Sequence, residues 1–257
     1  MPSAQFPTQT KRLQSQTFNQ LSAASDVALE YFFYSSYADE VMLDSPKGYW
    51  RFNESSGTTL VAQVGPNGTY YGTPGFAATG LVDNGESNAA VTFVRSEADY
   101  AKIPASTLGD SQFTWELWVK PSTAAMGTNR NLVNPGGFGI SLNASNRVEV
   151  FRDPSFTKVA STQTVVANTT YHIVWTYDGS THRIYLDDTL VITDTAGLGS
   201  RNADVSIAAY GTGGDTLGGV LDELCFYGRV LDADRRTAHH TAGFTPIASA
   251  TRLMAVV

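Results

Sequence analysis

Few side chains in this sequence have the company that catalysis needs. Hydrolysis of a glycosidic bond takes two carboxylates about 5–9 Å apart across the bond. Glu116, in Phe113-Thr114-Trp115-Glu116-Leu117-Trp118-Val119-Lys120-Pro121, is a lone carboxylate with Thr114 and Trp118 as its same-face neighbours. Asp222 and Glu223 are adjacent, so a regular strand points them to opposite faces. The four histidines are His172, His182, His239 and His240, and none lies near a nucleophile elbow. They read as an outward strand residue, a turn residue and a pair at a helix end, where cations suit the dipole. Cys225, between Leu224 and Phe226, reads as a small core residue. The expectation is a chain that is not an enzyme. What remains suits binding. Trp118 with Glu116, and Tyr210 in Ala208-Ala209-Tyr210-Gly211-Thr212-Gly213-Gly214, could stack on and hydrogen-bond a glycan; the competing reading, which the strand pattern favours, packs Trp118 beneath a loop.

These residues must be held by strands. The stretch from Tyr171 to Ile192 alternates with a period of two: Tyr171, Ile173, Trp175 and Tyr177 take one face, His172, Val174 and Thr176 the other. Asp178-Gly179-Ser180 supplies a turn, Ile184 and Leu186 resume the alternation, and Asp187-Asp188 makes a second reversal before Leu190 and Ile192. The pattern predicts a three-stranded antiparallel meander that needs a second sheet to cover it. The run 113–121 alternates likewise, with Phe113, Trp115, Leu117 and Val119 on one side, and Pro121 ends it because proline cannot donate to a ladder. Phe138-Ile140-Leu142, Val148-Val150 and Val165 give further short strands.

The whole composition agrees. The 257 residues are 42% hydrophobic and 16% charged, with 23 glycines, which suits short strands joined by turns. A formal net charge of −7 argues against a nucleic-acid surface. A single cysteine allows no internal disulfide. The N-terminus has no apolar run behind its charges and reads as no secretory signal, and no segment has the roughly 20 apolar residues that span a bilayer. The sequons at Asn53, Asn67, Asn143 and Asn168 therefore read as chance. The first 24 residues contain five glutamines, Lys11, Arg12 and no acid; they form a tail or an arm that orders on a partner. Asp26 to about Met42 reads as a helix capped by Ser25 or Asp26, although Tyr31-Phe32-Phe33-Tyr34 could also form a strand.

Several motifs carry a family resemblance. Asp44-Ser45-Pro46, Tyr49-Trp50-Arg51-Phe52, Glu54 and Ser56-Gly57-Thr58 resemble the opening of a laminin-G-like domain of the concanavalin A-like superfamily. Gly65-Pro66-Asn67-Gly68-Thr69-Tyr70, and Ala89-Val91-Phe93 with Asp99-Tyr100 and Ile103-Pro104, resemble its next strands, and 113–121 its central strand. Gly218-Gly219-Val220-Leu221-Asp222-Glu223-Leu224-Cys225-Phe226-Tyr227-Gly228-Arg229-Val230-Leu231 resembles its closing strand, followed by a short helix capped by Asp232. The resemblance covers roughly residues 40–243. Glycosidases on this sandwich present Glu-x-Asp-x-x-Glu on one strand, and this sequence has no such run. Many such domains hold calcium; here Asp222, Glu54, Asn53 and Asp99 are the candidate ligands, against the alternative that Asp222 and Glu54 bond backbone or arginine side chains.

The expected fold is all-β, a two-sheet antiparallel jelly-roll sandwich with an N-terminal arm and short helix. Its divisions are 1–45 for the arm and helix, 46–243 for the sandwich and 244–257 for a tail. The resemblance to domains common in phage proteins implies a non-enzymatic virion structural protein, a capsid decoration, fibre-base or tail component assembled in the host cytoplasm. Residues 1–45, with Lys11, Arg12, Tyr31, Phe32 and Phe33, would anchor it to other virion proteins. The sandwich would be displayed as a homo-oligomer, touching host glycans and neither nucleic acid nor membrane. The alternative is a carbohydrate-binding module or adhesin of a bacterial surface protein.

Overall fold

A computed structural model describes residues 36–82, 88–105, 109–152 and 157–244. Lys11, Arg12, Tyr31, Phe32 and Phe33 lie outside these, as does the chain beyond Phe244. A helix α1 (Tyr37–Leu43) opens the described chain. It leads to β1 (Gly48–Trp50), β2 (Thr59–Leu60), β3 (Ala62–Val64), β4 (Gly68–Tyr71), β5 (Gly75–Thr79) and β6 (Ala89–Phe93). Next come β7 (Tyr100–Pro104), β8 (Phe113–Pro121), β9 (Arg130–Gly136), β10 (Phe138–Leu142), β11 (Val148–Arg152) and β12 (Thr157–Ala160). The last strands are β13 (Tyr171–Tyr177), β14 (His182–Leu186), β15 (Thr189–Asp194), β16 (Arg201–Ile207) and β17 (Gly219–Tyr227), before helix α2 (Ala233–Phe244).

The strands pair antiparallel in two sheets, the sandwich that the alternation predicts. One sheet has nine strands, in the order β15-β14-β13-β8-β17-β1-β3, with β6 also on β17 and β5 on β6. The other has eight, β12-β11-β10-β9-β16-β7-β4-β2. Between them lies the main core, with Trp50, Phe113, Trp115, Leu117, Trp175, Ile184, Val205 and Phe226 all buried. Each such side chain contributes about 1.5–3 kcal/mol on leaving water. The 171–192 meander forms as its turns dictate. Asp178 Oδ1 accepts from the amides of Ser180 and Thr181, and Asp187 and Asp188 both take positive φ, 48° and 60°, as a two-residue hairpin of the primed kind requires.

The second face of β8 is buried as well. Among the described residues α1 begins at Tyr37, where Ser36 and Asp39 form a capping box; the expected cap at Ser25 or Asp26 and the run Tyr31–Tyr34 lie outside the described residues. Both helices lie on the outer face of the nine-stranded sheet, where Tyr37, Val41, Trp118, Cys225, Tyr227, Leu231 and Ala242 make a second core. Trp118 packs edge-on to Tyr37 at 5.7 Å and stacks on His172 at 4.6 Å. α2 comes close enough that a Cβ on Gly243 would sit 2.1 Å from the Trp118 ring, so only glycine fits there.

What fastens the helices to the sheet is polar. Glu116, wholly buried, accepts from Tyr37 Oη (2.7 Å) and His172 Nε2 (2.8 Å) on Oε1, and from His239 Nδ1 (2.8 Å) on Oε2. His239 Nε2 donates onward to Asp44 Oδ2 at 2.9 Å. Asp44 also receives Arg229 and Arg235, each at 2.6 Å, and Arg235 reaches Glu40 of α1 at 2.7 Å. His172 and His239, read from sequence as surface residues, are therefore buried ligands of one carboxylate. His182 is buried too, its Nδ1 accepting from Trp175 Nε1.

With a carboxylate on each ring nitrogen, His239 must be doubly protonated. Burial opposes that charge, but Glu116 and Asp44 outweigh it and raise His239 to about 9 from 6.5. Burial also acts to raise Glu116, yet His239 and His172 hold it well below the usual carboxylate range. A raised histidine stabilises the fold fully below its unfolded value and loses that contribution as pH passes the folded one. For His239 the window is pH 6.5 to 9 and the amount on the order of 3 kcal/mol. The lowered Glu116 adds stability that fades only on acidification. Melting temperature should therefore fall between pH 6.5 and 9, and His239→Gln should melt lower while losing this alkaline limb, as calorimetric scans across pH will show.

Candidate functional site

Burial removes Trp118 and Glu116 from any sugar surface: each is 0% exposed, sealed beneath α2. Tyr210, the third expected glycan residue, is 40% exposed and lies on the opposite side of the sandwich.

The four calcium candidates do not converge. Asn53 Oδ1 accepts from the Ala89 amide, and Glu54 from the Val61 amide and the Tyr70 hydroxyl. Asp99 accepts from the amides of Thr73 and Val94. Asp222 Oδ2 accepts from the Leu81 amide and Asn88 Nδ2, both at 2.8 Å. Each side chain pins a loop backbone, and among the described residues no three His, Cys, Asp or Glu side chains gather as ligands. Asp222 and Glu223 also depart from expectation. A bulge in β17, with Glu223 at φ 50°, puts both on the helix-covered side. Glu223 there bonds Tyr49 Oη and Arg51. Burial, with Glu223 beside it, pushes the Asp222 carboxyl well above the usual carboxylate range.

The outer face of the eight-stranded sheet is different. It holds a cavity of about 330 Å³ lined by Asn129, Asn131, Ser141, Phe151, Lys158, Tyr210 and Asp215, a size that suits a small ligand. Alternation places these residues. Leu132, Ile140, Leu142 and Val150 face the core, so Asn131, Ser141 and Phe151 of β9, β10 and β11 face out. Phe151 can lie across β10 because position 139 is glycine; a Cβ there would be 2.7 Å from the ring. Ser141 Oγ and Lys158 Nζ both donate to Glu149 Oε1 at 2.9 Å, which fixes the lysine. On the far wall, Arg95 donates to the carbonyls of Asn129 and Thr216 and stands 3.7 Å from Asp215.

Tyr210 is presented by a tight turn. Its backbone exchanges hydrogen bonds with Gly214, and Ser206 Oγ ties the turn down through the Gly211 carbonyl at 2.8 Å. Its ring centroid lies 6.3 Å from that of Phe151, tilted 58°. Beside them Asn131 is 4% exposed, and its Oδ1 has no hydrogen-bond partner among the described residues. Two aromatic rings, two carboxamides, an ammonium and a carboxylate thus surround one space. That set stacks on C–H faces and exchanges hydrogen bonds with hydroxyls. Sequence reading found Tyr210 and missed the rest. The signal was an aromatic, Phe151, at an outward strand position whose neighbours alternate inward.

Residues 95–235 match the model of the concanavalin A-like lectin/glucanases superfamily, inside the stretch that the motifs cover. Comparison with curated protein sequences finds no match. Among solved structures, domain 4 of AbnA, a GH43 extracellular arabinanase from Geobacillus stearothermophilus in complex with arabinotriose, is similar at TM-score 0.58 and 16% identity, over 76% of this chain and 98% of that one. Trypanosoma rangeli sialidase is similar at 0.57 and 15%, over 76% of this chain but 32% of its own, so the chain spans about a third of that enzyme. The receptor-binding domain of botulinum neurotoxin mosaic serotype C/D is similar at 0.58 and 11%, over 77% and 50%. At such identities these likenesses speak of fold. The family match runs over more than half of the 257 residues, and the chain belongs to the concanavalin A-like lectin/glucanases superfamily, in its laminin-G-like branch.

Proposed function

We propose that the chain is a non-catalytic carbohydrate-binding module whose sugar seat is the cavity on the outer face of the eight-stranded sheet. The observation that carries the reading is Asn131 Oδ1, a buried acceptor on the cavity lining with no donor among the described residues. Leaving such a group unpaired costs about 1–3 kcal/mol, and a sugar hydroxyl is a donor that fits between the rings of Phe151 and Tyr210. Asp215 is the one carboxylate among the lining residues, whereas glycoside hydrolysis uses two. The arabinotriose complex of a same-fold domain supports the ligand class. On a glycan array the protein should bind, and Tyr210→Ala should weaken binding about tenfold, or ~1.4 kcal/mol, with melting temperature unchanged. A silent array for the wild type would sink the reading.

A virion role for the same module is the second reading, a decoration, fibre-base or tail component that displays its sugar seat. What favours it is the geometry of attachment. Ser36 caps α1 on the helix-covered side, so the described chain begins away from the cavity. The acid-free first 24 residues, with Lys11 and Arg12, complement an acidic partner. Removing residues 1–35, which spares the Ser36 cap, should leave glycan binding intact and abolish cosedimentation with particles lacking this protein. Cosedimentation by neither form would end the virion reading.

A further inference from the structure

The aromatic surface does not stop at Tyr210. On the far side of the 210–214 turn, a Cβ at Gly213 would lie 3.5 Å from Cε1 of Tyr100, so the turn that presents Tyr210 also rests against Tyr100. Tyr100 of β7 stands directly across from Tyr71 of β4. Both face outward, since Tyr70 and Ala101 belong to the inter-sheet core. Their rings stack at 4.6 Å with planes 5° apart. That covers one face of Tyr71, yet Tyr71 remains 39% exposed. On its other side β2 pairs with β4 at Thr59–Thr69 and Leu60–Gly68, and the Tyr70 amide bonds the Thr58 carbonyl, so the pairing stops short of Tyr71. Lys102, opposite Thr69, holds its ammonium 6.0 Å from the Tyr71 ring centroid and 4.0 Å from Asp204.

Tyr71 and Lys102 thus repeat the chemistry of the cavity, an accessible ring beside a hydrogen-bond donor, on the same face. β16, β7 and β4 are neighbours in the sheet, and at about 4.8 Å per strand β4 lies about 10 Å from β16, beyond the reach of one sugar unit seated against Tyr210. We infer that the ligand is a linear oligosaccharide laid across β16, β7 and β4, with Tyr71 and Lys102 as a second seat for units remote from the cavity. The inference rests on the carbohydrate-binding reading and adds the length of the ligand and its direction across the strands.

The test is calorimetric titration of the full chain with arabino-, xylo-, cello- and malto-oligosaccharides, each from the monosaccharide to the hexasaccharide. Wild-type affinity should rise with length, by about tenfold or more. Tyr71→Ala should remove that rise and leave the shortest sugars unaffected, Tyr71→Phe should keep it, and Tyr210→Ala should weaken every length. Lys102→Gln, which leaves both rings in place, should reduce the rise in part and reports on the seat even if Tyr71→Ala fails to fold. A length-independent affinity, or a rise that survives both Tyr71→Ala and Lys102→Gln, overturns the second seat and leaves the cavity reading standing. No binding by the wild type to any of these sugars overturns both.

Discussion

A carboxylate taken wholly out of water has to be answered by donors from the chain around it, and Glu116 is answered from three directions. Tyr37 comes from α1, His172 from β13 and His239 from α2. An isolated buried charge is among the most expensive groups a fold can hold; once paired, removal of one partner costs about 3–5 kcal/mol. The helices that enclose Glu116 are therefore not free to leave it. Asp44 and Arg235 extend the same logic outward, so that the closing helix is locked to the opening one through His239.

This constraint divides the sandwich into two unlike faces. The outer side of the nine-stranded sheet is spent on holding α1 and α2, and its aromatics, Trp118 foremost, are core residues. The outer side of the eight-stranded sheet carries no α-helix among the described residues, and its outward positions include Asn131, Ser141, Phe151, Tyr100 and Tyr71. The proposed sugar seat lies on the uncovered side because there the outward side chains are not roofed by α1 and α2. Asn131 Oδ1, on the cavity lining, is buried and polar with no donor among the described residues.

Strand periodicity made the fold legible. Tyr171–Ile192 and Phe113–Pro121 alternate so regularly that a two-sheet sandwich was the only way to bury both. Periodicity says which residues share a face, however, and not what covers it. Periodicity groups Trp118, Glu116 and His172 on one side of their strands and leaves open whether Trp118 meets sugar or packs beneath a loop; the polar run 233–244 gives little sign that its helix folds back over them. Adjacent Asp222 and Glu223 were misplaced for another reason: a bulge breaks the period of two, and Glu223, a residue with no special tolerance for positive φ, gives no hint of it. The cavity drew its residues from β9, β10, β11 and β12 and the 210–214 turn, far apart in sequence, so that Tyr210, in its glycine-rich stretch, was the one member that local pattern could reveal.

In the proposed function, sugar meets the uncovered face and not the helix-covered one. Amide hydrogen exchange, followed along the chain with and without a saturating oligosaccharide, tests it most directly. Added protection should fall in residues 129–131, 139–142, 149–152 and 206–216, with α2 and β13 unchanged. Protection gathered instead around Trp118 and His240 on the helix-covered side would speak against that placement.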